Sequence, residues 1–269
     1  RLTGVVSTIH LLPFYPYSSD DGFSVIDYQV VNPELGTWDD IDAIAGHFDL
    51  MFDFVLNHVS RESLWFNDYL EHMPPGKDFF IEVDPSENLA TVVRPRSSPL
   101  LVEIRTRHHV RHVWATFSHD QIDLNYANPD VLLAMLEILL FYVRQGARIL
   151  RLDAVAFLWK ELGTPCVHLP RTHAVVKLFR DILDDLEPGC VLLTETNVPH
   201  AENIRYFGDG DEAHMVYQFA LPPLLLHAVH TGNAGYLQGW ARSLDEPPQG
   251  CTYLNFTASH DGIGLRPLE

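Results

Sequence analysis

"ARILRLDAVAFLWK", residues 147–160, decides the fold. It reads as a buried strand, yet it carries Arg151 and Asp153, each of which costs several kcal/mol to bury alone. Strand parity separates the two kinds of side chain. Residues 149, 151 and 153 point one way, and Leu150 and Leu152 the other. If the leucines pack on helices, Arg151 and Asp153 share the opposite face, where charge must serve a purpose.

Working outward, short apolar strands alternate with helices. "VVSTIHLLPF" and "DLMFDFVLNH" read as strands, with a helix from about Thr37 to His47 between them. Thr37 and Asp40 stand in capping-box spacing, and Trp38, Ile41, Ala45 and Phe48 fall on one face. "NPDVLLAMLEILLFYVRQG" reads as a long helix, with Pro129 in its first turn and Gly146 past its end. A second helix runs from about Arg171 to Leu186, with Val175, Phe179, Ile182 and Leu186 in register. The strands "VLLTET", "HMVYQF" and "CTYLNFTAS" follow. This alternation predicts a parallel sheet with crossover helices. Residues 60–128 break the rhythm. They are rich in Pro, Arg, His and aromatics with little helical periodicity, and read as an ordered excursion subdomain rather than a disordered linker.

Composition narrows the function. The chain has 269 residues, 46% of them hydrophobic, enough for a sizeable core. It carries 36 acidic against 18 basic residues, a net charge of -18. That excludes nucleic acid and anionic membrane as natural partners and favours a neutral polar small molecule. Three widely spaced cysteines suggest a reducing, cytoplasmic setting. No apolar stretch reaches the length of a membrane span.

Polar residues collect at the C-terminal ends of the strands, the active-site face of a parallel barrel. "HLLPFYPYSSDDGF" holds Asp20 and Phe23, and "DFVLNHVS" holds His58. "TETN" holds Glu195, and "ASHDGIG" holds His260 and Asp261. Taken singly, such an Asp is a turn or cap and such a His a satisfied core residue. Taken together, carboxylates at the same ends of three strands repel one another, and function is the reason to keep them.

"DFVLNH", "QIDLN", "LRLDAVAFLWK", "LLTETNVPHAEN" and "TASHDG" resemble, in order, the signature regions of the alpha-amylase family of glycoside hydrolases. The sequences "YQFALPPLLLHAVHTG" and "QIDLNYANP" resemble its sucrose-phosphorylase-like subgroup, closest to the members acting on glucosylglycerate. The resemblance implies a (β/α)8 TIM barrel, present as an incomplete fragment. Residues 1–59 and 129–269 supply the barrel, and 60–128 form the excursion after its third strand. The last barrel unit and a C-terminal β-domain are expected to be missing.

The resemblance also implies roles. Asp153 aligns with the nucleophile of a retaining mechanism, Glu195 with the general acid/base, and Asp261 with the third carboxylate that holds glucose hydroxyls. Arg151 would keep the nucleophile ionised. His58 and His260 align with sugar-hydroxyl ligands, Asp20 with a carboxylate gripping the glucose, and Phe23 with an apolar platform. His200, Arg94 and Arg96 are candidates for the acceptor side. No cofactor and no metal is expected; the partners are a carbohydrate and inorganic phosphate as co-substrate. No oligomeric state follows from these features. The reaction implied is phosphorolysis of an α-glucoside to α-glucose 1-phosphate. The alternatives are an amylosucrase-like hydrolase or transglucosidase, and a non-catalytic barrel of the same family.

Overall fold

The computed structural model describes residues 2–107 and 109–265. The chain divides into two compact units, one ending at Thr172 and one beginning at His173.

In the first unit, β1 (Thr8–Leu11) leads through a long loop to α1 (Trp38–Ala45) and β2 (Asp49–Val55). Then come β3 (His58–Ser60), α2 (Leu64–Glu71), β4 (Leu101–Arg105), β5 (Val110–Trp114) and β6 (Gln121–Asp123). α3 (Pro129–Arg144) and β7 (Ala147–Asp153) complete the barrel elements of this unit. β1 pairs in parallel with β2, and β2 with β7. The register sets Asp53 opposite Arg151 and Val55 opposite Asp153. Leu150, Leu152, Phe52 and Phe54 are wholly buried on one face, and Asp53 and Arg151 are buried on the other, so both faces of these strands are covered, as parallel sheets require.

The helix signals act as read. Thr37 N–H donates to the Asp40 carboxylate at 2.8 Å at the head of α1. The Asn128 side chain caps α3 by accepting from Asp130 N–H at 3.0 Å, and Gly146 ends it at φ 97°. Two details of this unit differ from expectation. "DLMFDFVLNH" is two elements: β2 stops at Val55, and His58 opens a separate antiparallel ribbon with β6. The switch is fixed at Asn57, whose carbonyl accepts from Leu124 N–H at 2.9 Å. Second, residues 60–128 do contain a helix, α2, capped by the Ser63 hydroxyl and ended by His72 in the left-handed conformation. Its eight residues are too few for a periodic signal to stand out. The hairpin β4–β5 follows, and Val83, Val92, Leu100, Trp114 and Cys166 pack into a small core beside it.

The helix α4 (Pro170–Leu186) leads into the second unit. Its buried stripe is Val175, Val176, Phe179 and Leu183, while Leu186, expected on that face, is 55% exposed. The stripe follows 3.6-residue periodicity through Leu183, and Leu186 lies beyond it in the last turn. β8 (Val191–Thr194), α5 (His200–Asn203), β9 (Met215–Tyr217), α6 (Leu221–Thr231), α7 (Gly235–Ser243) and β10 (Thr252–Leu254) follow. β8 pairs in parallel with β9, and β9 with β10. Among the described residues, no helix is long and apolar enough to cross a membrane.

Candidate active site

Arg151 is 3% exposed and does not stand alone. Its Nη1 donates to Asp53 Oδ1 at 2.5 Å and to Asp153 Oδ1 at 3.0 Å. Asp53 is wholly buried and meets His10 Nε2 through its other oxygen at 2.7 Å. One guanidinium therefore joins two carboxylates on neighbouring strands, which is how the charges tolerate burial. Asp153, at the end of β7, keeps the exposed share of this group, with 13% of its side chain open against none for Asp53.

Around this ion triad stand the other residues expected in this part of the chain. The loop after β1 turns through three left-handed residues, Asp20 (φ 56°), Asp21 (φ 50°) and Gly22 (φ 112°). A Cβ on Gly22 would lie 2.7 Å from the Pro13 carbonyl oxygen, so only glycine closes the turn. This turn leaves Asp20 exposed and folds Phe23 inward. The Phe23 ring lies beneath the Arg151 guanidinium, 5.7 Å from it. The Phe23 carbonyl accepts from His58 Nε2 at 2.9 Å, and Gln121 Nε2 donates to Asp20 at 2.8 Å. Asp20, Phe23, His58, Arg151 and Asp153 are thus brought together by hydrogen bonds, one ring–guanidinium contact and Gln121, which lies between Asp20 and His58.

His58 is 1% exposed, and both its ring nitrogens have protein partners. Asn57 Nδ2 donates to Nδ1 at 3.2 Å, which places the ring proton on Nε2, facing the Phe23 carbonyl. Burial pushes the His58 pKa below its ordinary value, against the pull of Asp123, so the ring is neutral at neutral pH. Asn57 is itself oriented from behind. Its Oδ1 accepts from Lys160 Nζ at 2.8 Å, and the same ammonium lies 2.6 Å from Asp123 Oδ2. Asp123 also accepts from Thr116 N–H at 2.8 Å and Thr116 Oγ1 at 2.6 Å. Desolvation lowers the Lys160 pKa, and Asp123 opposes it.

In the second unit, Glu195 follows β8 half-buried. The loop beyond it is pinned by Thr196 Oγ1 on Asn203 Oδ1 at 2.6 Å and by Asn203 Nδ2 on the Tyr217 carbonyl at 2.7 Å. His260 Nε2 lies 3.2 Å from Asp261 Oδ2 on an exposed turn past β10. The His200 ring lies 6.0 Å from that of Tyr253, tilted against it, and burial lowers its pKa, so it offers an imidazole rather than a cation.

Asp53, His10, Gln121, Asp123 and Lys160 escaped the sequence reading. Asp53 and Lys160 carried the same signal as Asp153, a charge inside an apolar run. Among the described residues, no cluster of His, Cys, Asp or Glu is arranged to hold a metal.

The catalytic-domain model of alpha-amylase matches residues 4–249. The chain belongs to the alpha-amylase family. The TIM barrel expected from the sequence is that family's fold. Over 268 residues, all of this chain, it is 59% identical to a glucosylglycerate phosphorylase of Spirochaeta thermophila, covering 46% of that protein. A glucosylglycerate phosphorylase of Escherichia coli is 58% identical over 270 residues, with 48% of it covered. The crystal structure of sucrose 6F-phosphate phosphorylase from Thermoanaerobacter thermosaccharolyticum superposes with a TM-score of 0.87 at 26% identity, over 98% of this chain and 55% of that one. The chain spans about half the length of the curated relatives it matches.

Proposed function

We propose that the intact protein is a retaining α-glucoside phosphorylase that converts a glucosylglycerate-like donor and phosphate to α-glucose 1-phosphate. The 59% identity to a glucosylglycerate phosphorylase across the whole chain carries this reading. The ion triad around Asp153 supports it, because a cation beside a nucleophilic carboxylate favours its ionised form.

On this reading the Asp153 carboxylate attacks the anomeric carbon. The glycosidic C–O bond breaks, and Glu195 protonates the departing oxygen. Glu195 then takes a proton from phosphate, whose oxygen attacks the same carbon and releases Asp153. Arg151 holds Asp153 in place, Asp20 grips glucose hydroxyls, and Phe23 gives the ring an apolar wall. Because both His58 nitrogens are engaged, His58 serves a sugar hydroxyl by sharing its Nε2–H with the Phe23 carbonyl. Asp261 and His260 are proposed for the remaining glucose hydroxyls. Arg96 lines a cavity beside Asp20 and is the better candidate for phosphate; Arg94 does not line it. The reaction needs phosphate as co-substrate and no cofactor. Cys166, Cys190 and Cys251 form no disulfide, which suits a cytoplasmic enzyme.

The test is incubation of the intact protein with phosphate and either glucosylglycerate or sucrose. Phosphate-dependent α-glucose 1-phosphate is expected. Its absence with both donors, or release of free glucose independent of phosphate, contradicts the proposal.

A further inference from the structure

β3 and β6 form a short antiparallel ribbon with Ser60 opposite Gln121. One step further along, Arg61 N–H donates to the Asp120 carbonyl at 2.9 Å, so Arg61 and Asp120 are cross-strand neighbours. A guanidinium opposite a carboxylate ordinarily forms an ion pair. Here the carboxylate is already occupied. Asp120 Oδ2 accepts from Ser18 Oγ at 2.6 Å, from Ser24 Oγ at 2.8 Å and from Ser19 Oγ. Burial alone raises the Asp120 pKa, but the three hydroxyls outweigh it and hold the carboxyl below its usual range. Oδ1 has no donor among the described residues, and the Arg61 guanidinium has no hydrogen bond or ion pair among them. In a chain with twice as many acids as bases, the exposed Arg61 thus stands beside a carboxylate that hydroxyls have satisfied.

Both residues line a cavity of about 740 Å³, a size ordinary for a small-molecule site. Asp20 and Gln121 line it too, so it opens directly from the carboxylate assigned to glucose. The Phe117 ring joins the same wall and lies 5.2 Å from the His58 ring. A group that leaves the glucose on this side meets a fixed carboxylate acceptor and an unpartnered guanidinium on adjacent positions. Glu62 and Arg96 line the cavity as well, so its charge is mixed.

We propose that Arg61 and Asp120 form the aglycone subsite for a small hydroxy acid, Arg61 pairing with its carboxylate and Asp120 Oδ1 accepting its hydroxyl. The proposal rests on the reading of the protein as an α-glucoside phosphorylase and assigns where its donor's acidic half is recognised. A charge-assisted pair on a planar guanidinium discriminates strongly against a neutral analogue that leaves it empty.

The experiment compares the intact enzyme with Arg61→Ala and Asp120→Asn on glucosylglycerate and on glucosylglycerol, its uncharged analogue, and titrates glycerate and inorganic phosphate calorimetrically. In Arg61→Ala the ratio of kcat/KM for glucosylglycerate over glucosylglycerol is expected to fall about 10- to 100-fold, the worth of one charged hydrogen-bonding contact. Glycerate binding is expected to be lost in parallel. Asp120→Asn is expected to weaken both donors. An unchanged ratio in Arg61→Ala overturns the proposal. So does a loss confined to phosphate, which makes Arg61 a phosphate ligand instead. Should neither donor yield glucose 1-phosphate while glycerate binds in an Arg61-dependent way, the subsite stands and phosphorolysis falls. If glycerate binding is absent or indifferent to Arg61, the subsite falls with it.

Discussion

Replacing Arg151 by Met tests the ion triad that underlies the proposed nucleophile. Met keeps much of the apolar stem and removes the charge. The guanidinium side chain is 3% exposed, and it lies 2.5 Å from Asp53 and 3.0 Å from Asp153, whose side chains are 0% and 13% exposed. Removing one partner from a buried pair costs about 3–5 kcal/mol, because the remaining charge is stranded. Here two carboxylates on adjacent strands lose the cation they share, while Asp53 keeps its contact with His10, so a loss within that range is expected. Each kcal/mol shifts the midpoint by roughly 2–4 °C in a domain of this size, giving a fall of about 6–20 °C. The assay is thermal unfolding of the intact protein by circular dichroism at neutral pH, wild type against Arg151→Met, at low and at high salt. The loss should persist in high salt, since buried pairs are little screened. Adding Asp53→Asn to Arg151→Met should recover part of the loss, because one stranded charge is then neutral. A fall worth less than about 1 kcal/mol, or one abolished by salt, is the behaviour of a surface pair and refutes the triad as drawn.

Further outcomes follow from the same geometry. Lys160→Met strands Asp123 and frees the Asn57 amide, so a stability loss of about 3 kcal/mol is expected by the same unfolding assay. Gly22→Ala meets the Pro13 carbonyl and a positive φ, and should cost roughly 1–3 kcal/mol while raising KM for the donor, because it shifts Asp20 and Phe23. An unchanged KM argues against that turn as the setter of the sugar wall. The folded pKa of His58 lies below 6.5, so between those two values the unfolded chain binds the extra proton. Stability therefore rises with pH across that window and levels above it. His58→Asn should flatten that part of the stability-against-pH curve; an unaltered slope shows that another group titrates there.

Local signals placed most elements, and their failures have physical causes. The capping box at Thr37 and Asp40, Asn128 before Pro129, and Gly146 after α3 are short-range chemistry, and they appear where their spacing sets them. The parity of Arg151 and Asp153 likewise survives, because a strand's period is fixed by its backbone. What stayed hidden is the far partner. Asp53 and Arg151 are 98 residues apart, Lys160 and Asn57 103, and His10 and Asp53 43. A charge in an apolar run announces that it has a counter-charge, but only the strand register names which one. The break of "DLMFDFVLNH" at Asn57 was hidden for the same reason, since hydrogen bonds from residues 121–124 decide it. Asp120 gave no signal at all: its three serines lie about a hundred residues away in sequence.

The central claim is that Asp153 is the residue that attacks the sugar. Its most direct test is mass spectrometry of the intact Glu195→Gln enzyme, acid-quenched after exposure to α-glucosyl fluoride, whose leaving group needs no proton. Peptide mapping should find one glucosyl group esterified to Asp153, absent when Asp153→Asn is added. A glucosyl group on another carboxylate, or turnover that persists in Asp153→Asn alone, contradicts the account.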